Sequence, residues 1–172
     1  MLYYSGAMNI ETYKICEINN GYVSIMARPS KEWLEDDISY LANSNIKVLV
    51  SLLTPTEVHE LGLSNEEKYC EKYGIQFISF PIEDRSFPQS EKIYFDMVRK
   101  VYSEVRIGNN LVIHCRAGIG RAGLTAAAVL VCHGMQVDDA FSLISKARRV
   151  SVPDTDEQRQ WLLNNSNSLK RV

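Results

Sequence analysis

The stretch "LVIHCRAGIGRAGLTAAAVLVC" covers residues 111–132 and changes character twice. Residues 111–115 form a short apolar run that predicts a buried β-strand, and the small and aliphatic residues from about 120 to 133 predict a helix. A glycine-containing turn joins the two elements. This unit places a thiol, Cys115, at the end of the strand and a guanidinium, Arg121, in the first turn of the helix.

The rest of the chain continues the alternation of strands with helices. The other predicted strands lie at 13–18, 22–27, 46–53 and 75–82, with a hairpin turn at 19–21. The earlier predicted helices are one from Ser30 to about Asn43, one whose capping box is Thr54 and Glu57, one started by Ser64 and ended by Gly74, and one from 91 to about 107. The later predicted helices lie at 120–133, 137–148 and 155–166.

This order of elements predicts one α/β domain over residues 1–172, with a central, largely parallel sheet flanked by helices. The sequence contains no repeat, low-complexity tract or linker that would divide it. Ligands of such sheets bind beyond the carboxyl ends of the strands. Cys115 follows the carboxyl end of a predicted strand, so we expect the functional site there.

The composition fits a soluble domain that buries a core, because 45% of the residues are hydrophobic and the formal net charge is −2. This charge argues against general binding to nucleic acid or to a membrane surface. The longest apolar run, 122–132, is too short to span a bilayer. No basic region precedes an apolar stretch at the N-terminus, so we expect a cytoplasmic location. The cysteines are too far apart for a zinc or dithiol site, so we expect reduced thiols. They are Cys16, Cys70, Cys115 and Cys132.

The glycines of the opening stretch also match a dinucleotide-binding pattern. Gly118, Gly120 and Gly123 have the G-x-G-x-x-G spacing after a strand and at the start of a helix. That fold requires a second strand with an acid about 20 residues further on, whereas two consecutive helices are predicted here. The nearest acids, Asp138 and Asp139, fall at a helix start. The pattern therefore does not predict a dinucleotide site.

An anion-binding loop with a thiol nucleophile explains more of the same residues. The turn and the helix N-terminus can direct backbone N–H groups and a partial positive charge at one point. Gly118 and Gly120 allow a close backbone approach, and Arg121 offers a planar fork for two phosphate oxygens. The same positive field should favour the thiolate form of Cys115.

The segment "HCRAGIGR" (114–121) resembles the H-C-x-x-G-x-x-R signature of the cysteine-dependent protein tyrosine phosphatase superfamily, particularly its small dual-specificity branch. The resemblance implies that Cys115 attacks phosphorus and forms a phosphocysteine, while His114 orients the loop. It implies no metal and no organic cofactor. The implied phosphate-binding residues are Arg116, Ala117, Gly118, Ile119, Gly120 and Arg121.

Two other segments are similar to functional parts of that family. "FPIEDRSFP" (80–88) resembles the loop that carries the general acid, and we assign this role to Asp84, with Glu83 as the alternative. A general acid is needed because a phosphoester oxygen leaves poorly unless it is protonated. "PDTDEQRQWL" (153–162) resembles the family's helix whose glutamine places the hydrolytic water, and Gln158 is the candidate.

The chain departs from many relatives at the residue after the arginine. Ala122 stands where a Ser or Thr hydroxyl supports the departing thiolate, and Thr125 is the alternative source of that hydroxyl. A missing hydroxyl predicts slow breakdown of the phosphoenzyme. Two roles are open for Cys132: it could form a disulfide with an oxidised Cys115, or it could pack in the core. The run "KARR" (146–149) is interpreted as a solvated helix end.

The resemblance implies a phosphoprotein phosphatase for phosphotyrosine, with phosphoserine and phosphothreonine as further candidates. Expected partners are a phosphorylated protein and the anions phosphate, vanadate or tungstate, without nucleic acid or membrane. One alternative is a phosphoinositide or RNA 5'-phosphatase, although the loop offers only Arg116 beside Arg121 for a more highly charged substrate. The other alternative, a non-catalytic phosphopeptide-binding module, predicts loss of the nucleophile or the acid, and candidates for both are present.

Overall fold

A computed structural model describes residues 9–170, which contain five strands and seven helices. The strands are β1 (Tyr13–Ile18), β2 (Gly21–Met26), β3 (Ile46–Ser51), β4 (Gln76–Ser79) and β5 (Asn110–His114). The helices are α1 (Leu34–Asn43), α2 (Pro55–Glu60), α3 (Glu66–Lys72), α4 (Glu91–Arg106), α5 (Gly120–Cys132), α6 (Val137–Arg148) and α7 (Asp156–Leu169).

The strands form one sheet in the order β1-β2-β5-β3-β4. β1 pairs antiparallel with β2, and the other three pairings are parallel, which confirms the predicted α/β fold. β5 occupies the centre and is buried along its whole length, because it has a strand on each side and helices on both faces. Its continuous apolar run is typical of such a strand.

Helices cover the two faces of the sheet separately. The first core cluster joins the sheet to α4, α5, α6 and α7, and the second joins its other face to α1 and α3. Residues 120–131 of α5 are all buried, because other elements of the domain surround this helix. No helix within residues 9–170 combines the length and the apolar character needed to cross a membrane.

Several predicted boundaries were wrong by a few residues. α1 begins at Leu34 rather than Ser30, because residues 31–33 form a turn and the Ser30 N–H donates to Asp37 Oδ2 at 2.8 Å. α3 begins at Glu66, so its N-cap position is Asn65 and not the predicted Ser64. The Asn65 side chain forms no capping hydrogen bond. The end of that helix is confirmed, since Gly74 follows it with a φ of +72°.

Candidate active site

Cys115 lies directly beyond the carboxyl end of β5, at the start of a loop that leads into α5. Residues 116–119 form the loop, and Gly120 is the first residue of the helix. The cysteine is only 3% exposed, so the loop covers the thiol. The strand therefore delivers the thiol to the positive end of a thirteen-residue helix.

The loop packs tightly against the end of β2. Gly118 has a φ of +67°, and a Cβ at this position would collide with the Met26 carbonyl group and the Ala27 nitrogen. The Arg28 N–H also donates to the Arg116 carbonyl at 3.2 Å. Only glycine combines this backbone conformation with so close an approach.

Arg148, at the end of α6, binds the other side of the loop. Its Nε donates to the Gly118 carbonyl at 3.0 Å, and its Nη2 donates to the Ala117 carbonyl at 2.9 Å. Its guanidinium carbon also lies 4.1 Å from the centre of the Tyr13 ring. Because the C=O and N–H of a trans peptide point in opposite directions, the N–H groups following these carbonyls point away from Arg148. The interpretation of 146–149 as a solvated helix end was wrong for this residue.

Arg121 is buried, with its side chain only 1% exposed, and both of its terminal nitrogens are held by hydrogen bonds. Nη1 donates to Glu57 Oε2 at 2.7 Å and to the Ile82 carbonyl at 2.8 Å. Nη2 donates to Glu57 Oε1 at 2.9 Å and to Asp84 Oδ1 at 3.0 Å. Burial acts to lower the pKa of Arg121, but the hydrogen bond with Glu57 and the surrounding acidic groups raise it above its ordinary value.

Glu57 compensates the buried charge of Arg121 and also caps α2. Its Oε2 accepts from the Thr54 N–H at 3.0 Å, and its own N–H donates to the Thr54 hydroxyl at 3.3 Å, which confirms the predicted capping box. Burial acts to raise the pKa of Glu57, but the bonds from Arg121 and Thr54 lower it to about 2. Arg116 Nε, 3.3 Å from Oε1, adds a weaker contact.

The role of Glu57 as the partner of Arg121 was missed from the sequence, where the capping pattern already explained this acid. A usable signal was its position shortly after β3. Because β3 neighbours β5 in a parallel sheet, residues that follow the two strands meet at the same edge.

Asp84 lies on the loop that follows β4, with its side chain 58% exposed and in contact with Arg121. Two contacts hold this loop against α7. Gln158 Nε2 donates to the Ser86 carbonyl at 3.0 Å, and the Phe87 ring stacks on Trp161 with centroids 5.9 Å apart. Glu83, the alternative acid, lies with Asp84 along an open cavity of about 510 Å³ beside the cysteine loop.

Gln158 lies at the start of α7, where both ends of its amide are occupied. Oε1 accepts from the Thr155 N–H at 3.2 Å, and Nε2 donates to Ser86. The amide therefore links α7 to the loop that carries Asp84. Releasing the bond to Ser86 would free the nitrogen for a water molecule.

The three residues considered for secondary roles, Ala122, Thr125 and Cys132, all lie on α5. The Thr125 hydroxyl is buried and accepts a hydrogen bond from the Tyr94 hydroxyl at 3.0 Å, so it is directed at α4. Ala122 is buried in the first turn of α5. Burial raises the pKa of Cys132 to about 11, which makes its thiol a weak nucleophile near neutral pH.

His114 points to the opposite face of the sheet from Cys115, because successive side chains of a strand alternate. Its Nδ1 lies 3.1 Å from the Cys115 carbonyl, and its Nε2 lies 2.7 Å from Glu66 Oε1 on α3. A carbonyl oxygen only accepts, so Nδ1 is the donor to Cys115, and the contact between Nε2 and Glu66 Oε1 holds the other end of the imidazole. The pair fixes the orientation of the peptide that follows the histidine.

Gly118→Ala and Gly74→Ala form a matched test of the loop packing. Both glycines have a positive φ, but a Cβ at Gly74 would meet nothing within 4 Å. We expect Gly74→Ala to lower the free energy of unfolding by about 1 kcal/mol and Gly118→Ala by about 2–5 kcal/mol, because only the second adds a collision with β2. Urea denaturation measures both values, and equal losses would contradict the packing described here.

Glu57→Gln tests the compensation of Arg121. The pKa of Glu57 is about 2 in the folded chain and about 4.3 in an unfolded chain, so its stabilising effect is complete above this range and is lost as the pH falls towards 2. We expect the variant to lose about 1–3 kcal/mol of unfolding free energy at pH 7.

The difference between Glu57→Gln and the wild type should then narrow between pH 5 and pH 2, as followed by chemical denaturation. Glu60→Gln, an exposed change on the same helix, is the control and should show neither effect. A difference that stays constant with pH would contradict the ion pair.

Comparison with known proteins gives the family of this chain. Residues 25–135 match the family described as "Polymorphic toxin system, DSP-PTPase phosphatase". Human protein tyrosine phosphatase type IVA 3 is 31% identical over 99 residues, which are 56% of this chain and 57% of that protein. Tyrosine-protein phosphatase CDC14 of Saccharomyces cerevisiae is 24% identical over 151 residues, or 87% of this chain and 25% of the yeast protein. The chain thus spans little more than half of the first relative and a quarter of the second.

The fold also resembles solved structures of phosphatases. Kinase associated phosphatase, solved with its catalytic cysteine replaced by serine, superposes with a TM-score of 0.84 over 96% of this chain and 99% of that one, at 18% identity. At this identity the likeness concerns the fold. The family match covers most of the sheet, the cysteine loop and the whole of α5. This chain therefore belongs to the DSP-PTPase family of phosphatases.

Proposed function

We propose that this chain hydrolyses phosphotyrosine in proteins, and phosphoserine and phosphothreonine as further substrates, through a phosphocysteine intermediate. The observation that carries the proposal is the pairing of Cys115 with a buried arginine, Arg121, at the two ends of one loop. A phosphate dianion bound over the loop would receive the helix N-terminus and the Arg121 charge together.

In the first step, the Cys115 thiolate attacks phosphorus, and the bond from phosphorus to the ester oxygen breaks. Asp84, acting as a general acid, transfers its proton to the leaving oxygen, which departs as an alcohol or phenol. Asp84 lies 3.0 Å from Arg121 when no substrate is bound, so the substrate phosphate must replace this contact. The exposure of Asp84 and its position on a loop suit such an exchange.

In the second step, Asp84 accepts a proton from water, and the resulting hydroxide attacks the phosphocysteine to release phosphate and the thiolate. We assign the positioning of this water to Gln158, whose amide must first leave Ser86. Ala122 carries no hydroxyl, and the Thr125 hydroxyl, which accepts from Tyr94, forms no hydrogen bond with Cys115, so no hydroxyl on the first turns of α5 supports the departing thiolate. The second step is therefore proposed to be the slower one.

A thiolate nucleophile requires a reduced cysteine, and we therefore propose a reducing, cytoplasmic location. All four cysteines are free in the structure. Oxidation of Cys115 would remove the nucleophile, so the proposed activity depends on this environment.

Phosphatase assays test the proposal. We expect turnover of p-nitrophenyl phosphate and phosphotyrosyl peptides, inhibition by vanadate and no effect of EDTA, because the mechanism uses a thiolate rather than a metal-activated water. Cys115→Ser should abolish turnover. Activity in purified Cys115→Ser, or inhibition by EDTA, would overturn the mechanism. Faster turnover of a soluble phosphoinositide or an RNA 5'-phosphate than of the peptides would favour the alternative substrates, and binding without turnover would indicate a phosphopeptide-binding module.

Asp84→Asn tests both proposed properties of this carboxylate. We expect the rate to fall by about 10² to 10⁴, since general acid catalysis is lost. Tungstate should bind about two- to fivefold more tightly, because the anion no longer competes with an exposed carboxylate for Arg121. Glu83→Asn is the matched control and should leave both quantities near the wild-type values. Weaker binding of tungstate to Asp84→Asn would contradict the competition.

Ala122→Ser tests the slow second step. Rapid-quench assays of the wild type should show a burst of p-nitrophenol, and the variant should raise the steady-state rate about 2- to 12-fold by adding one hydrogen bond to the departing thiolate. Ala126→Ser places the same hydroxyl one turn further along α5 and should leave the burst unchanged. A linear first turnover in the wild type would count against slow hydrolysis of the intermediate.

A further inference from the structure

A row of polar side chains crosses the carboxyl edge of the sheet on the face opposite Cys115. Ser51 is the register partner of both His114 and Ser79, so the three residues lie side by side on β5, β3 and β4. Partners in parallel strands direct their side chains to the same face, and His114 on this face contacts α3. The row therefore faces the space between the sheet and helices α2 and α3.

That space contains a pocket of about 280 Å³ that is separate from the cysteine loop. Its apolar wall includes Leu53, Val58, Leu63 and Phe77, and its polar wall includes Ser51, Ser79 and Glu66. The volume is slightly below the range of small-molecule sites, and the mixture of apolar wall and few polar groups is typical of them. Pockets beyond the carboxyl ends of parallel strands are the usual ligand sites of such sheets.

Two polar groups in the pocket remain available to a ligand. Ser51 is only 1% exposed, and its hydroxyl forms no hydrogen bond with the described residues. Glu66 uses Oε1 for His114, and Oε2 accepts from none of the described residues. Every fully enclosed polar side-chain atom of residues 9–170 has a hydrogen-bond partner. Because these two oxygens have none, they are not fully enclosed and face the open pocket. Both are held in place by the fold.

The charges around the pocket favour a cation. Glu66 and Glu67 are the acidic residues of its wall, and among the described residues that line it the one basic side chain is His59, with no lysine or arginine. Glu66 is almost fully buried and only its Oε1 is bonded to His114, so a partner that brings a positive charge and hydrogen-bond donors to Oε2 would complete its interactions. We propose that this pocket binds a small organic cation, a primary amine carried on an apolar or aromatic body.

In this arrangement the ammonium group lies at the back of the pocket, donating to Glu66 Oε2 and the Ser51 hydroxyl. The apolar body packs against Leu53, Val58 and Phe77. Glu67, at the exposed rim, adds a weaker attraction. Because Glu66 also holds His114, the bound cation changes the environment of the imidazole next to Cys115.

Titration with 2-phenylethylamine tests the proposal. We expect a dissociation constant of about 0.1–1 mM, the range for a ligand of this size. The imidazole NMR signals of His114 should shift along the same titration curve, which locates the amine at this pocket. 2-Phenylethanol has the same body without the charge and should bind at least about tenfold more weakly. Equal binding of the two compounds, or binding of the amine without a change at His114, would overturn the proposal.

Variants separate this pocket from other acidic surfaces. Glu67→Gln should weaken binding about two- to fivefold, whereas Glu71→Gln, exposed on the same helix and outside the pocket, should have no effect. Ser79→Leu fills the end of the pocket from an exposed position and should abolish binding while the protein stays folded. Unchanged binding in Ser79→Leu would overturn the proposal. The site requires no turnover, so Cys115→Ser should bind the amine normally, and a failure of the phosphatase assays would leave this result standing.

Discussion

The buried charge of Arg121 is the constraint on which the site depends. A guanidinium removed from water costs several kcal/mol unless its hydrogen bonds are satisfied and its charge is compensated. Glu57 compensates the charge and accepts two hydrogen bonds in a bidentate pair, and the Ile82 carbonyl accepts a further one from Nη1. The pair ties α2 and the segment after β4 to the first turn of α5. The proposed phosphate-binding residue is therefore already oriented before any substrate arrives, which reduces the ordering that binding would require.

The strand order makes this pair possible. β5 lies between β2 and β3, so the segments that follow these three strands all meet at Cys115. The segment after β2 contacts the loop through Arg28, and the segment after β3 starts the helix that carries Glu57. β4 lies one strand further out, and the loop after it brings Asp84 to Arg121 from the other side. Four separate parts of the sequence thus build one site because parallel strands end at the same edge.

The sequence predicts those features that depend on local patterns. The strand, glycine loop and helix around Cys115 are contiguous, so their periodicity and spacing place the thiol and Arg121 together, and five strands in a largely parallel sheet follow from the alternation of elements. The roles of Glu57, Glu66 and Arg148 were not predictable in this way. Each depends on a contact over 30 or more positions along the chain. Glu57 and Arg148 also had adequate local explanations, as part of a helix cap and as a helix end.

The start of α1 shows the same limit on a smaller scale. Ser30 is a residue type that often caps helices, yet its backbone N–H donates to Asp37, and the chain forms one turn before the helix begins at Leu34. A capping pattern shows which side chains could accept hydrogen bonds from the free N–H groups at the start of a helix, and several positions in a sequence can do so. The choice between them is made by packing, here by the burial of Leu34 and Ile38 against the sheet.

The peptide between His114 and Cys115, at the end of β5, connects residues whose side chains lie on opposite faces of the sheet. Because side chains alternate along a strand, His114 and Cys115 cannot lie on the same face. The thiol enters the loop, and the imidazole is fixed by Glu66 on the other side of the sheet, beside the pocket described above. His114 Nδ1 donates to the carbonyl of Cys115 itself, so the position of Cys115 is set partly from the opposite face of the sheet. Any group that binds Glu66 acts on the same carbonyl through one side chain.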